Sequence, residues 1–196
     1  LIAAAIFSNN CQYIYDTSSI VSAKKSNAKI AEERIEDTFG KSNQLVVMVP
    51  KGDYESEKRV LGKLDNLSYV TSTLGLANVS INDDYVLTDK LNPRQFAELI
   101  DIDREVVDVL YMAYAYNQEQ YGPVFTGVND YEVPIIDMFL FLYDQYKEGY
   151  VTLDRDLDDK LNTLYDTLHD AQLQLQGSDY SRFVLNLSLP VEGQET

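Results

Sequence analysis

Few side chains in this sequence have the chemistry that catalysis or metal binding requires. The chain contains one histidine, His169, and one cysteine, Cys11. A Cys/His zinc site and a disulfide within the chain are therefore excluded. A Ser-His-Asp or Cys-His catalytic site would need His169, but no catalytic motif surrounds it. We expect His169 to lie on the solvent-exposed side of a helix, and Cys11 to be a small residue near a membrane or an interface.

The acidic run at residues 154–159 superficially resembles a calcium-binding loop, because acids occupy its first, third and fifth positions. Such a loop needs glycine at position six and glutamate at position twelve, where this sequence has Asp159 and Tyr165. We interpret the run as an Asp-rich helix N-terminus, which the helix dipole favours. Asp101 and Asp103 are interpreted as helix-capping residues and not as a catalytic carboxylate pair. The sequence thus predicts no metal, no cofactor and no enzymatic activity.

Aromatic residues are the more informative feature of the sequence. Eight of the 15 tyrosines lie between residues 111 and 150. A tyrosine-rich helical surface can line an amphipathic groove for a lipid-like ligand or a partner protein. The alternative is that these rings form the core and the half-buried rim of a helical block. Under the first interpretation, the residues expected to contact a substrate are Tyr111, Tyr114, Phe139 and Tyr143.

The composition limits the class of protein. The 196 residues are 45% hydrophobic and 24% charged, which is typical of a globular chain that buries a substantial core. Acidic residues outnumber basic ones by 32 to 16, so the formal net charge is -16. This balance argues against nucleic-acid binding and against docking on an anionic membrane through basic residues.

The chain begins with seven consecutive apolar residues, 1–7. A helix of this length spans about 10 Å, whereas the hydrocarbon core of a bilayer is about 30 Å thick. The segment is too short to cross a membrane, but it suits the outer end of a transmembrane helix, with residues 8–10 as a polar exit. An ordinary helix start or a cloning boundary is the alternative explanation.

Hydrophobic periodicity predicts a strand–helix–strand unit in the first half of the chain. An amphipathic helix over residues 17–39 ends at Gly40, which suits the left-handed conformation that closes helices. Five consecutive apolar residues within 44–50 predict a strand covered on both faces. A helix capped by Asp53 follows, and residues 70–74 form a second strand. The buried stripe of that helix is predicted to comprise Val60, Leu61, Leu64 and Leu67.

The centre of the chain, residues 91–177, is predicted to be an all-helical block of three or four helices. Asn92 followed by proline marks one helix start, and Pro134 marks another. The last helix carries leucines at helical spacing: Leu157, Leu161, Leu164, Leu168 and Leu175. Residues 182–190 then alternate between apolar and polar side chains, which predicts a strand. The expected architecture is an α+β fold in which a helical insertion interrupts a small sheet.

Three segments carry a resemblance to a known family: YDTSSI at 15–20, IEDTFGKSNQLVVMVP at 35–50 and QLQLQGSDYSRFVLNLSLP at 172–190. In their order and spacing they resemble the first extracytoplasmic domain of the MMPL family, transporters of the RND (resistance–nodulation–division) superfamily, in the Gram-positive-type branch. In that family a helix ending in Phe-Gly leads into the first strand of a porter domain, and a helical insertion interrupts the porter fold. The resemblance covers nearly the whole chain.

The resemblance implies an incomplete ferredoxin-like porter subdomain, with split β-α-β topology and a large all-helical insertion. The strand at 182–190 is expected between strands 44–50 and 69–74, antiparallel to both. The second porter helix and fourth strand of the family pattern are absent from this sequence, so an exposed sheet edge is expected. The implied divisions are 1–16, the end of a first transmembrane helix with its exit; 17–80, the first part of the porter subdomain; 81–180, the insertion; and 181–196, the returning strand and the start of the next helix.

The resemblance also implies a function. Such transporters are driven by the proton gradient and export lipids or other hydrophobic compounds, so this chain would be a non-enzymatic, extracytoplasmic part of a cell-membrane protein. Its partners would be a sister extracytoplasmic domain and the transmembrane helices of the same polypeptide. The proton-relay acids of the family lie in those helices, so no functional residue is carried over to this sequence. Relatives range from monomers to trimers, which leaves the oligomeric state open.

Two other hypotheses stay open at this point. The first is a secreted or surface-anchored binding module whose tyrosine-rich helices hold a lipid or a protein. The second is a hydrolase that uses His169. The transporter hypothesis predicts that replacing His169 with alanine leaves any activity unchanged.

Overall fold

The computed structural model describes residues 27–39, 43–152 and 155–189. The features predicted at residues 1–7 and 8–10, at Cys11, at Gly40 and at residues 17–26 and 190–196 lie outside these ranges. The helices and strands are, in chain order, α1 Asn27–Phe39, β1 Asn43–Pro50, α2 Tyr54–Asp65, β2 Val70–Leu74, β3 Lys90–Leu91, α3 Pro93–Ile100, α4 Arg104–Asn117, α5 Tyr121–Thr126, β4 Val133–Pro134, α6 Ile135–Lys147, α7 Arg155–Leu175 and β5 Tyr180–Leu187.

The fold is mixed α+β with small antiparallel sheets, as predicted. The described residues divide into two compact units. Unit 1 comprises residues 27–39, 43–47, 62–73 and 184–189, and unit 2 comprises residues 48–61, 74–152 and 155–183. In the described part of the chain, no helix combines the length and the hydrophobicity that crossing a bilayer requires.

The last strand lies at the position that the family resemblance implies for it. Strand β5 lies between β1 and β2 in a three-stranded sheet. Just past the end of β5, the Asn43 Nδ2 group donates a hydrogen bond to the Leu189 carbonyl at 3.3 Å. The Ser188 N–H group donates another to the Tyr69 carbonyl at 2.9 Å. The residues between β2 and β5 therefore form an excursion that leaves this sheet and returns to its centre.

Strand β1 is not covered on both faces, so that prediction is wrong. None of its residues is buried, and Leu45, Val46 and Met48 are exposed. Among the strands that the structure describes, β1 lies at the edge of the sheet next to β5, so the side chains of one neighbouring strand, and not of two, flank its residues. A run of apolar residues predicted a strand correctly, but it did not distinguish a central strand from an edge strand.

Helix α2 also buries a narrower face than predicted. Of the expected stripe, Leu61 is buried and Leu64 half-buried, while Val60 and Leu67 are exposed. The predicted N-cap is confirmed, because Asp53 Oδ1 accepts a hydrogen bond from the Ser56 N–H group at 2.7 Å. The buried face runs through Glu57 and Leu61, which lie one helical turn apart.

The block predicted to be all-helical contains a short sheet and more helices than expected. Five helices, α3 to α7, lie within it, together with the antiparallel pair β3 and β4, in which Leu91 faces Val133. Both of these side chains are buried, so the pairing forms part of the core of unit 2. Pro134 was expected to open a helix, and it does so as the last residue of β4 and the N-cap of α6.

The predicted helix caps in this block are partly confirmed. Asn92 Oδ1 accepts a hydrogen bond from the Gln95 N–H group at 3.0 Å, with Pro93 as the first helical residue of α3. Asp101 ends α3 in the left-handed conformation, with φ of 56°. Asp103 is the N-cap residue of α4, but its side chain makes no capping hydrogen bond. Asp101 and Asp103 therefore both stand at helix boundaries.

Gly75 allows close packing in unit 2 directly after β2. A Cβ atom at this position would lie 2.8 Å from Phe183 Cδ1 and 3.0 Å from Leu61 Cδ1. Both neighbouring side chains are buried, so neither can move aside at low cost. The absence of a side chain at residue 75 thus lets β5 and α2 pack against the end of β2.

We predict that Gly75→Ala lowers the free energy of unfolding by about 1–3 kcal/mol, because the added methyl overpacks this contact. Gly62→Ala is the matched control, since Gly62 lies inside α2 and a Cβ there has no neighbour within 4 Å. Better helix propensity should make the control more stable by up to about 1 kcal/mol. Urea unfolding of the two variants measures both values, and equal effects would contradict the packing argument.

Candidate functional site

Unit 2 contains a cavity of about 260 Å³, which we call the apolar cavity. Every described side chain that lines it is a hydrocarbon, so it offers no side-chain hydrogen-bond donor or acceptor to a ligand. Such a lining suits the hydrophobic part of a ligand and provides no catalytic group. The lining residues are Ile81, Leu87, Leu99, Ile100, Ile102, Ile135, Phe139, Leu142, Leu161, Leu164 and Leu168.

Two long helices supply one side of the apolar cavity. Helix α6 contributes Phe139 and Leu142, which lie three residues apart on its buried face. Helix α7 contributes Leu161 and Leu168, which are buried, together with Leu164, which is 42% exposed. Leu164 therefore lies at the mouth of the cavity. Three leucines of the stripe predicted for the last helix thus line this space.

Another part of the cavity lining comes from residues around the end of α3. Asp101 reverses the chain through its left-handed conformation, and Ile100 before it and Ile102 after it both line the cavity. Ile81 belongs to the segment between β2 and β3. Ile81 and Ile102 lie outside the helices and strands, so no hydrophobic period predicted their place in the lining.

The size of the cavity limits what it can hold. One water molecule occupies about 30 Å³ in the liquid, and a methylene group is of similar size, so 260 Å³ accommodates a chain of about eight methylenes. This is smaller than most sites for drug-sized ligands, which begin at about 300 Å³. The cavity therefore suits one short hydrocarbon segment and not a whole lipid.

The four residues predicted to contact a substrate do not share one site. Phe139 lines the apolar cavity, but the three tyrosines are not among its lining residues. Tyr111 is fully buried, and its hydroxyl donates a hydrogen bond to the Leu91 carbonyl at 2.8 Å. Tyr114 packs edge-to-face on Phe141, with ring centroids 5.3 Å apart. Burial raises the pKa of Tyr114 to about 12.

Tyr143 belongs to a separate aromatic stack between α6 and α7. Its ring lies parallel to that of Tyr165 at 3.6 Å between centroids, and Lys147 Nζ lies 5.0 Å from its centroid. Tyr165 in turn stacks on His169 at 5.2 Å. His169 was expected to be solvent-exposed, but it is half-buried because its ring continues this stack. The contact between the Tyr143 and Tyr165 rings joins α6 to α7, whereas the cation–π interaction of Lys147 with Tyr143 lies within α6.

A half-buried pair of polar side chains lies near the start of α2. The Tyr54 hydroxyl donates a hydrogen bond to Asp137 Oδ1 at 2.9 Å. Burial raises the pKa of Asp137, while the bond from Tyr54 and the positive charge of Lys51 act in the opposite direction. Burial also raises the pKa of Tyr54, with the Asp137 charge as the second cause. Asp137 is therefore a carboxyl group whose charge the fold disfavours.

Comparisons with known proteins give no match: no family model, no curated protein and no solved structure matches this chain. The residues that the structure describes hold no group of three or more His, Cys, Asp or Glu side chains placed to bind a metal ion. The geometry of the apolar cavity is thus the main structural basis for assigning a function.

We predict that Asp137→Asn changes how stability depends on pH. With a raised pKa in the folded state, Asp137 holds its proton more tightly than in the unfolded chain. Its stabilising contribution is complete below the ordinary Asp pKa of about 3.9 and is lost as pH rises through the raised value. Asparagine does not titrate, so the stability of the variant relative to the parent should rise with pH across that interval.

Urea unfolding at a series of pH values measures this difference. Tyr54→Phe is a useful second variant, because it removes the hydrogen bond that lowers the pKa of Asp137. The pKa of Asp137 should then be higher than in the parent, so the stability that Asp137 contributes should be lost at higher pH. A difference between Asp137→Asn and the parent that does not vary with pH would contradict the assignment.

Proposed function

We propose that this chain is an extracytoplasmic domain of a proton-driven RND/MMPL-type membrane transporter that exports lipids or other hydrophobic compounds, without enzymatic activity. The proposal rests on the sequence resemblance and is consistent with two structural features. Strands β1 and β2, which α2 connects, flank β5, and most of the helices lie in the excursion between β2 and β5. An incomplete ferredoxin-like porter subdomain with split β-α-β topology is the finer fold that we propose for this arrangement.

The observation that carries the functional part of the proposal is the hydrocarbon lining of the apolar cavity. Moving about eight methylenes from water into it would contribute about 6 kcal/mol. The loss of translational and rotational freedom on association, at least about 4 kcal/mol, offsets much of this gain. The result is weak, reversible binding of a hydrocarbon segment. A protein that passes a substrate onward needs such binding, whereas a storage protein needs tight binding.

The competing function is a secreted or surface-anchored binding module that uses a tyrosine-rich helical surface for a lipid or a protein. One observation favours it, namely the exposure of four aromatic side chains between residues 111 and 150: Tyr116, Tyr121, Phe125 and Tyr150. The parent gene distinguishes the two functions. A transporter requires a run of about 20 apolar residues shortly after the codon for Thr196, and a secreted module does not.

We predict that Leu164→Lys weakens binding of the hydrophobic fluorophore N-phenyl-1-naphthylamine at least tenfold, about 1.4 kcal/mol, because it places an ammonium group at the mouth of the apolar cavity. Leu173→Lys is the matched control, since Leu173 lies on the same helix, is 65% exposed and is not among the residues that line the cavity. Fluorescence titration of the 196-residue chain measures both affinities.

The same pair of variants tests the proposal in the intact transporter. Leu164→Lys should reduce export of a lipid substrate from cells, and Leu173→Lys should leave it unchanged. Equal fluorophore binding by the two variants would exclude the apolar cavity as the binding site. Normal export with Leu164→Lys, despite lost binding, would separate the cavity from the transport function.

A further inference from the structure

Helix α4 carries a second apolar stripe on the side opposite its buried one. Its buried residues are Val107, Leu110, Tyr111 and Ala115. The outward stripe comprises Val106, Val109, Ala113 and Tyr116, at spacings of three, four and three residues. Ala113 is half-buried, and the other three residues of the stripe are exposed, Val109 to 65%. This is the a/d spacing with which one α-helix packs against another.

The outward stripe lines two adjoining cavities. They have volumes of about 650 Å³ and 640 Å³ and share Ala113, Gln145 and Tyr150 among their lining residues, so they meet along α4. We call the two cavities together the α4 groove. From Val106 to Tyr116 it follows about 15 Å of helix, or three turns. It shares no lining residue with the apolar cavity, so it is a second and separate site.

The charged residues of the α4 groove are all acidic. Glu105 lines it at the first turn of α4, Glu119 lies just past the last turn, and Glu148 lies at the end of α6. Among the described residues that line the groove, none is a lysine or an arginine. The groove therefore combines an apolar floor with a negative rim. That combination complements a ligand that is apolar on one face and basic at its edges.

We propose that the α4 groove binds an amphipathic α-helix of a partner protein, with lysine or arginine residues beside its apolar stripe. The 3-4-3 spacing supplies knobs and holes for a facing helix, and Ala113 allows the partner backbone to approach at the middle of the contact. A second copy of this chain is a poor occupant, because two negative rims would face each other in a chain of net charge -16. This inference goes beyond the transporter proposal and does not depend on it.

The test uses a labelled peptide of three heptads, with leucine at positions a and d and lysine at e and g. A control peptide carries glutamate at e and g. Fluorescence anisotropy with the 196-residue chain should show binding of the basic peptide and not of the acidic one. The double variant Glu105→Gln/Glu119→Gln should weaken this binding several-fold and reduce its dependence on salt.

The sharpest variant is Val109→Glu, with Leu173→Glu as the matched control. Both parent residues are 65% exposed, and both variants add one negative charge. If the basic peptide bound only by general electrostatic attraction to an acidic protein, both variants would bind it more tightly than the parent chain. Docking on the apolar stripe predicts instead that Val109→Glu weakens binding about tenfold or more, while Leu173→Glu does not.

Each other outcome overturns the proposal. Equal binding by the two variants would mean general electrostatic attraction, and equal binding of the two peptides would exclude the role of the rim. Absence of binding of the basic peptide would exclude a helix as occupant. Sedimentation that shows a dimer of the parent chain, abolished by Val109→Glu, would assign the groove to a second copy. A groove filled by an extractable lipid would be identified by mass spectrometry of the purified chain.

Discussion

The structure depends on the packing of Phe183 against Gly75 and Leu61. These residues come from β5, from the end of β2 and from α2, and the excursion from residue 75 to residue 183 separates two of them. Closing a loop of that length costs conformational entropy that increases only slowly with its length. Burial of the Phe183 ring and the central hydrogen-bonded position of β5 offset this cost. The absence of a Cβ atom at Gly75 permits the close approach.

The sequence predicted those features of the fold that depend on residues close together in the chain. The Asn92-Pro93 start of α3 and the Asp53 cap of α2 involve hydrogen bonds across three residues, so sequence alone is sufficient to predict them. The alternation along β5 likewise predicted a strand with one buried face. The predictions that failed concern long-range neighbours. Whether β1 is central or at an edge, and whether Leu91 pairs with Val133, depends on segments far away in the chain.

The candidate site was predictable only in part, for the same reason. Phe139 of α6 lines the apolar cavity, and so do Leu161, Leu164 and Leu168, which follow a helical period along α7. Ile100 and Ile102 line it because Asp101 turns the chain between them, which no periodicity describes. Tyr111 is fully buried, and its hydroxyl donates a hydrogen bond to the Leu91 carbonyl, as in the alternative interpretation that these rings form the core. Residue type alone did not distinguish a tyrosine that packs in the core from a tyrosine that contacts a ligand.

The two proposed sites differ in the property that selects their ligands. The apolar cavity has no charged residue among its described lining, so the fit and length of a hydrocarbon chain decide what binds. The α4 groove is open along a helix and its charged lining residues are glutamates, so both sign of charge and shape contribute. A neutral hydrocarbon would therefore favour the first site and a basic amphipathic helix the second. Because the two linings share no residue, one site can be altered by substitution while the other is left intact.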